Sequence, residues 1–224
     1  MAHKCATGLR SGRADVTWAL TNGESFTIFI VKSEDDELRY RVLELVNEQT
    51  ILSGGIAGRK LLNAFIANTQ LVGVPTTAYL DFTGIELATA SFLRESVVGF
   101  RDYARLASPH LYPVLANLAG PVFEELDFFL RLRTDALWTC ALDEAERVTD
   151  ARLIGELDPT QRTTFEMVTL IGSATAPELS ARSPDEKIGA TAWNNRLSGL
   201  VAKGLLVERR LGKTKSFSPL LEFT

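Results

Sequence analysis

Asn194 and Asn195 stand side by side between Thr191 and Ser198, and the segment that follows carries Arg209, Arg210, Lys213 and Lys215. An asparagine amide presents a donor and an acceptor together and pairs with an adenine edge, while small hydroxyl side chains allow close approach to bases. Arginine and lysine grip phosphates and release counterions in doing so. These eight residues therefore have the chemistry of double-stranded DNA contact, provided that a helix carries the first four and a hairpin the last four. From Arg182 to Ser216 there are eight basic residues against three acidic ones, a local balance of +5 in a chain of net charge −4. A positive stretch kept against the opposite global charge points to an anionic partner.

Other chemistry is sparse. Cys5 and Cys140 lie far apart and form no CxxC pair, and His3 and His110 stand alone, so neither a disulfide framework nor a metal site is expected. The stretch SGGIAGRK has glycines at 54, 55 and 58 and a lysine followed by leucine, which matches neither phosphate-binding glycine motif. Asp81 ends a predicted strand without a visible base, nucleophile or metal set, and turn formation or capping is its expected role. We therefore expect no enzyme and no cofactor; an enzyme acting on nucleotides or nucleic acid has the least support. The first eighteen residues lack an apolar core of a signal peptide and no run is long enough to cross a bilayer, so a cytoplasmic protein with no membrane partner is expected.

The elements that must position the polar residues are legible. With 224 residues and 46% hydrophobic content, the chain can bury real cores. Asp158 and Pro159 open a predicted helix ending at Gly172, Thr175 caps a short second helix to Arg182, and a third runs from about Ala190 to Lys203 before Gly204. In the third, Trp193, Leu197, Leu200 and Val201 face inward, leaving Thr191, Asn194, Asn195 and Ser198 outside. Two short strands about a turn near Gly212 come next, with Val207 and Phe217 as inward anchors. Three helices and a basic hairpin make a winged helix-turn-helix. The run TAWNNRLSGLVAKGLLVERR resembles the recognition helix and first wing strand of bacterial winged-helix regulators, whose Leu-x-x-Leu-x-x-x-Gly-Leu-Leu pattern appears here as Leu197, Leu200, Gly204, Leu205 and Leu206.

Upstream, strands and helices alternate: a strand at 25–31, a helix over 34–49, a helix over 58–70, a strand at 77–85 and a helix over 91–107. A strand at 111–118, with Pro113 suited to its start or to a sheet edge, a helix beginning near Pro121, and strands at 136–141 and 151–157 complete the series. Such alternation predicts an α/β fold with a mostly parallel sheet of about five strands covered by helices. Residues 1–157 carry −6 and residues 158–224 carry +2, which suggests a tail over 1–23, an α/β domain over 24–157 and a small domain over 158–224.

The run AYLDFTGIELATASFLRE resembles the central strand, turn and helix of STAS-like domains, relatives of bacterial anti-sigma-factor antagonists. Their Asp-Phe-x-Gly-Val and Ser-Phe-x-x-Glu motifs appear here as Asp81, Phe82, Gly84 and Ile85, then Ser91, Phe92 and Glu95. In those antagonists a loop serine or threonine is phosphorylated, which implies Thr89 or Ser91 as acceptor here; the usual acceptor position falls on Ala90. The plain alternative is that Ser91 caps the helix and Glu95 lies in its first turn. The two resemblances together imply a bacterial transcription regulator in which the STAS-like domain receives a protein or ligand signal and the winged helix binds duplex DNA, as a homodimer if binding is specific. The alternative is an adaptor whose STAS-like domain binds an ATPase- or kinase-type partner while the winged helix mediates assembly.

Overall fold

The computed structural model describes residues 14–19, 25–30, 38–69, 72–183, 188–212 and 214–222. The chain forms two compact units, Met1–Asp36 and Glu37–Thr224. In the first, β1 (Ala14–Ala19) pairs antiparallel with β2 (Ser25–Ile30). The second strand follows from its β-branched and aromatic composition; the first lies where the sequence predicts only a tail.

In the second unit, Leu38, Tyr40 and Val42 alternate with Arg39 and Arg41, and β3 (Leu38–Arg41) is a strand followed by the single-turn α1 (Val42–Leu45). The helix expected over 34–49 is therefore corrected: residues 38–41 are strand, only 42–45 are helical, and 34–37 lie outside the described residues. Its helical spacing of Leu38 and Val42 is equally a spacing of two strand repeats, and parallel pairing of Leu38 with Ala78 through Arg41 with Asp81 decides the matter. Next come β4 (Ile51–Leu52), α2 (Gly55–Ala67), β5 (Thr76–Asp81) and β6 (Leu87–Ala88), with β4 and β6 a small parallel pair. A long helical stretch succeeds them: α3 (Ala90–Leu93), a π-helical turn at Arg94–Val98, and α4 (Gly99–Ala107). The π turn lies where α2 crosses most closely. A Cβ at Gly58 would lie 2.5 Å from the Phe92 carbonyl oxygen, which accepts from the Ser96 hydroxyl at 2.8 Å.

β7 (Leu111–Ala116), α5 (Gly120–Arg131), β8 (Ala136–Leu142) and β9 (Val148–Gly155) complete a five-stranded sheet of order β3-β5-β7-β8-β9. Its first four strands are parallel and β9 is antiparallel, the α/β class expected. Pro113 sits in the central strand, not at a start or edge. The Thr76 N–H donates to His110 and the Phe82 N–H to Ala116, so even-numbered residues of β7 face β5 and Pro113 faces β8. The β7–β8 ladder registers only at Leu115 and Ala116, beyond the missing donor.

Alternation along the strands produces two cores. Ala78, Leu80, Leu111, Leu115, Leu137 and Ile154 pack with α2, α3, α4 and α5. Tyr79, Val114, Ala116, Trp138 and Cys140 instead share a core with the C-terminal elements: α6 (Pro159–Ile171), α7 (Ala176–Arg182), α8 (Ala190–Ala202) and the ribbon of β10 (Leu206–Leu211) and β11 (Thr214–Pro219). Asp158 caps α6 by accepting from the Gln161 N–H, and Thr175 with Glu178 forms a capping box on α7. Ala174, between α6 and α7, exchanges two 2.9 Å backbone hydrogen bonds with Phe217 and so fastens the ribbon to the helices.

Candidate nucleic-acid interface

The helical period of α8 buries Trp193, Leu197 and Leu200 completely. Thr191 and Asn195 are exposed on the opposite side, whereas Asn194 and Ser198 are half-buried at its flanks. Val201 is partly buried against the same core. Two of the four residues expected outside are thus fully presented.

Adjacent residues of a strand face opposite ways, and this divides the cations of the ribbon. Register places Arg210 opposite Lys215 and Glu208 opposite Phe217, all on one face; Arg209 lies opposite Ser216 on the other. Phe217 is fully buried in the core shared with the helices, and Val207, on the Arg209 face, is also buried, so each face of the ribbon has one inward anchor. Arg209 lies on the other face, beside a groove of about 580 Å³ lined also by Ser173, Ser216, Ser218 and Leu220. The single cationic ridge implied by the local charge is corrected on this point, because Arg209 does not share a face with Arg210 and Lys215. Lys213, and likewise Lys187, His3 and Cys5, lie outside the described residues.

Several charges are already engaged. Glu208 accepts from Arg210 Nε at 3.3 Å and from Lys215 Nζ at 3.0 Å. Arg196 lies over the Trp193 ring at 4.8 Å. Lys203, the C-cap of α8, donates to Asp135 at 2.8 Å and to the Thr134 carbonyl at 3.1 Å. Asp135 also accepts from Arg101 of α4 at 2.8 Å. Burial by itself raises the Asp135 carboxyl, but the Arg101 and Lys203 cations outweigh it and hold it below the usual carboxylate range. Beside this cluster, the Trp138 indole N–H donates to the Leu205 carbonyl at 3.0 Å.

At the carboxyl end of the sheet, buried Asp81 accepts from the Thr83 N–H and hydroxyl, from Asn117 Nδ2 at 2.8 Å and from Arg39 at 2.7 Å. Hydrogen bonds from Thr83, Arg39 and Asn117 overcome the effect of burial and keep its carboxyl below the usual range. The bonds from Thr83 and Asn117 tie the turn to the neighbouring strand end, consistent with the turn-forming role expected of Asp81, and Arg39 of β3 adds an ion pair. Thr89 and Ser91 meet at the start of α3, their hydroxyl oxygens 3.2 Å apart, and the Gly54 N–H donates to Thr89. The expected cap by Ser91 is corrected: Thr89 holds the N-cap position without a side-chain bond, and the free Ala90 N–H donates to Glu125 of α5 at 2.9 Å. Glu95 pairs with Arg94 and Arg59. The long-range roles of Asp135, Asn117 and Glu125 have no local sequence signal, since Arg101, Lys203, Asp81 and Ala90 are each more than one element away.

Among the described residues no three His, Cys, Asp or Glu side chains form a metal-binding group, and no helix is long and apolar enough to cross a membrane. No protein-family model matches the chain, and no curated protein matches it either.

Proposed function

We propose that residues 158–224 act as a winged helix-turn-helix that contacts duplex DNA, and that the α/β part before them is a STAS-like receiver of a protein or small-ligand signal. The carrying observation is α8, which buries Trp193, Leu197 and Leu200 while presenting Thr191 and Asn195, and which is followed directly by a ribbon with Arg210 and Lys215 on one face. A helix of this kind fits a major groove, with asparagine suited to adenine and the ribbon cations to flanking phosphates. The bridge between Ala174 and Phe217 adds support, because it fixes the ribbon beside the helices. One such helix covers one half-site, and a homodimer fits specific binding. The test is duplex mobility shift and selection from random sequence across a salt series. Asn195→Ala relaxes sequence preference, while Arg210→Ala with Lys215→Ala weakens binding to all sequences and flattens the salt dependence. Unchanged mobility with every duplex at low salt refutes the proposal.

A second reading, the adaptor, is favoured by one observation. Ile51 and Leu87 are register partners on β4 and β6, and with Ile56 they are 63%, 42% and 70% exposed near Thr89. An apolar group of this kind suits a protein partner of ATPase or kinase type. Stoichiometric capture of such a partner from nuclease-treated lysate, together with absent duplex affinity, would establish it over DNA binding.

A further inference from the structure

We propose that Glu208 is a built-in brake on polyanion binding: it holds Arg210 and Lys215 in internal ion pairs, so that the ribbon grips a phosphodiester backbone firmly only when α8 engages as well. The inference rests on the duplex-contact reading above and deepens it. Glu208, Arg210 and Lys215 lie together on the ribbon face that also carries the buried Phe217. Both carboxylate oxygens are used, one on Arg210 Nε at 3.3 Å and the other on Lys215 Nζ at 3.0 Å. The carboxylate is 22% exposed, against 34% for Lys215 and 70% for Arg210, so the acid lies deeper than the cations it restrains.

The described charge of this face is therefore +1, not +2. A phosphate reaching Arg210 or Lys215 must displace a tethered carboxylate that remains nearby and repels it. Pairs this close to the surface are weak enough for exchange to occur, so the acid limits affinity without abolishing it. Affinity limited at the ribbon makes the whole interface depend more on the contacts of α8, where bases are read, and this favours discrimination over indiscriminate adhesion. Arg209 lies outside the arrangement; among the described residues no carboxylate pairs with it.

The experiment compares the wild type with Glu208→Gln and with Glu222→Gln, which removes an equal charge at an exposed position by the groove on the Arg209 face. Each is eluted from immobilised heparin, a sulfated polyanion, and titrated against random-sequence and selected duplex. Glu208→Gln is expected to elute at higher salt, to bind random duplex about tenfold more tightly, and to steepen the salt dependence by about one charge, a slope change of ~0.9. Its preference for selected over random sequence falls, and Glu222→Gln behaves as wild type. Identical elution of wild type and Glu208→Gln overturns the brake, as does an equal shift in Glu222→Gln or weaker binding by Glu208→Gln. A heparin shift without duplex binding by any variant keeps the brake and refutes the duplex reading instead.

Discussion

Replacing Asp135 by asparagine tests how the C-terminal helices are held. The carboxylate accepts from Arg101 and Lys203, each at 2.8 Å, and from the Ala136 N–H at 2.9 Å. The side chains of Arg101, Asp135 and Lys203 are 9%, 12% and 21% exposed. Asparagine keeps the shape and leaves two cations facing a neutral amide. Removing one partner of a buried pair costs about 3–5 kcal/mol. Arg101 retains exposed Asp102 at 2.8 Å, and Lys203 reaches water by rotating its stem, so the lower end, about 3 kcal/mol, is expected. For a unit of this size that corresponds to a fall in Tm of roughly 6–12 °C. Because the folded carboxyl is held below its unfolded value of about 3.9, its contribution is complete above that pH and is lost as pH falls through the folded value. Urea unfolding of wild type and Asp135→Asn should therefore differ by about 3 kcal/mol at neutral pH and converge in strong acid. A neutral-pH difference below about 1 kcal/mol, or the same difference in acid, refutes the assignment of that stability to the charge cluster.

Other outcomes depend on single positions. Gly155 has φ +93°, and a Cβ there would lie 2.2 Å from the Asp135 carbonyl oxygen and 2.7 Å from Leu130 Cβ, so Gly155→Ala should cost more than about 3 kcal/mol in chemical denaturation. Leu200→Ala should cost about 2–5 kcal/mol and leave circular dichroism and tryptophan fluorescence with one shared midpoint, because its core includes Trp138 of the sheet. Two separated transitions would show that α6–α8 unfold independently of the sheet.

The sequence carried most of the local architecture and little of the long-range chemistry. Caps at Asp158, Thr175 and Gly172 are legible because their partners lie within one turn, and all three mark the observed ends of α6 and α7. The stretch Leu38–Val42 misleads, since the four-residue spacing of Leu38 and Val42 fits a helical turn as well as two strand repeats, and only Tyr40 between them marks the strand. Pro113 is tolerated centrally because β8 begins its pairing further along, a fact of register that no single strand contains. At the candidate site, the inward face of α8 follows from its period. The opposed faces of Arg209 and Arg210 follow from strand alternation, which a simple count of charges conceals. The contact of Lys203 with Asp135 joins residues 68 positions apart, and nothing in either neighbourhood announces it.

The position of Leu157, 5% exposed in the same core as Tyr79, Trp138 and Trp193, makes the junction before α6 an interior place and not a tether. A gene severed there would yield two fragments, each with a bare greasy wall where the other had been. Neither piece would keep that core closed by itself, because the sheet and α8 bury their side chains in one shared interior.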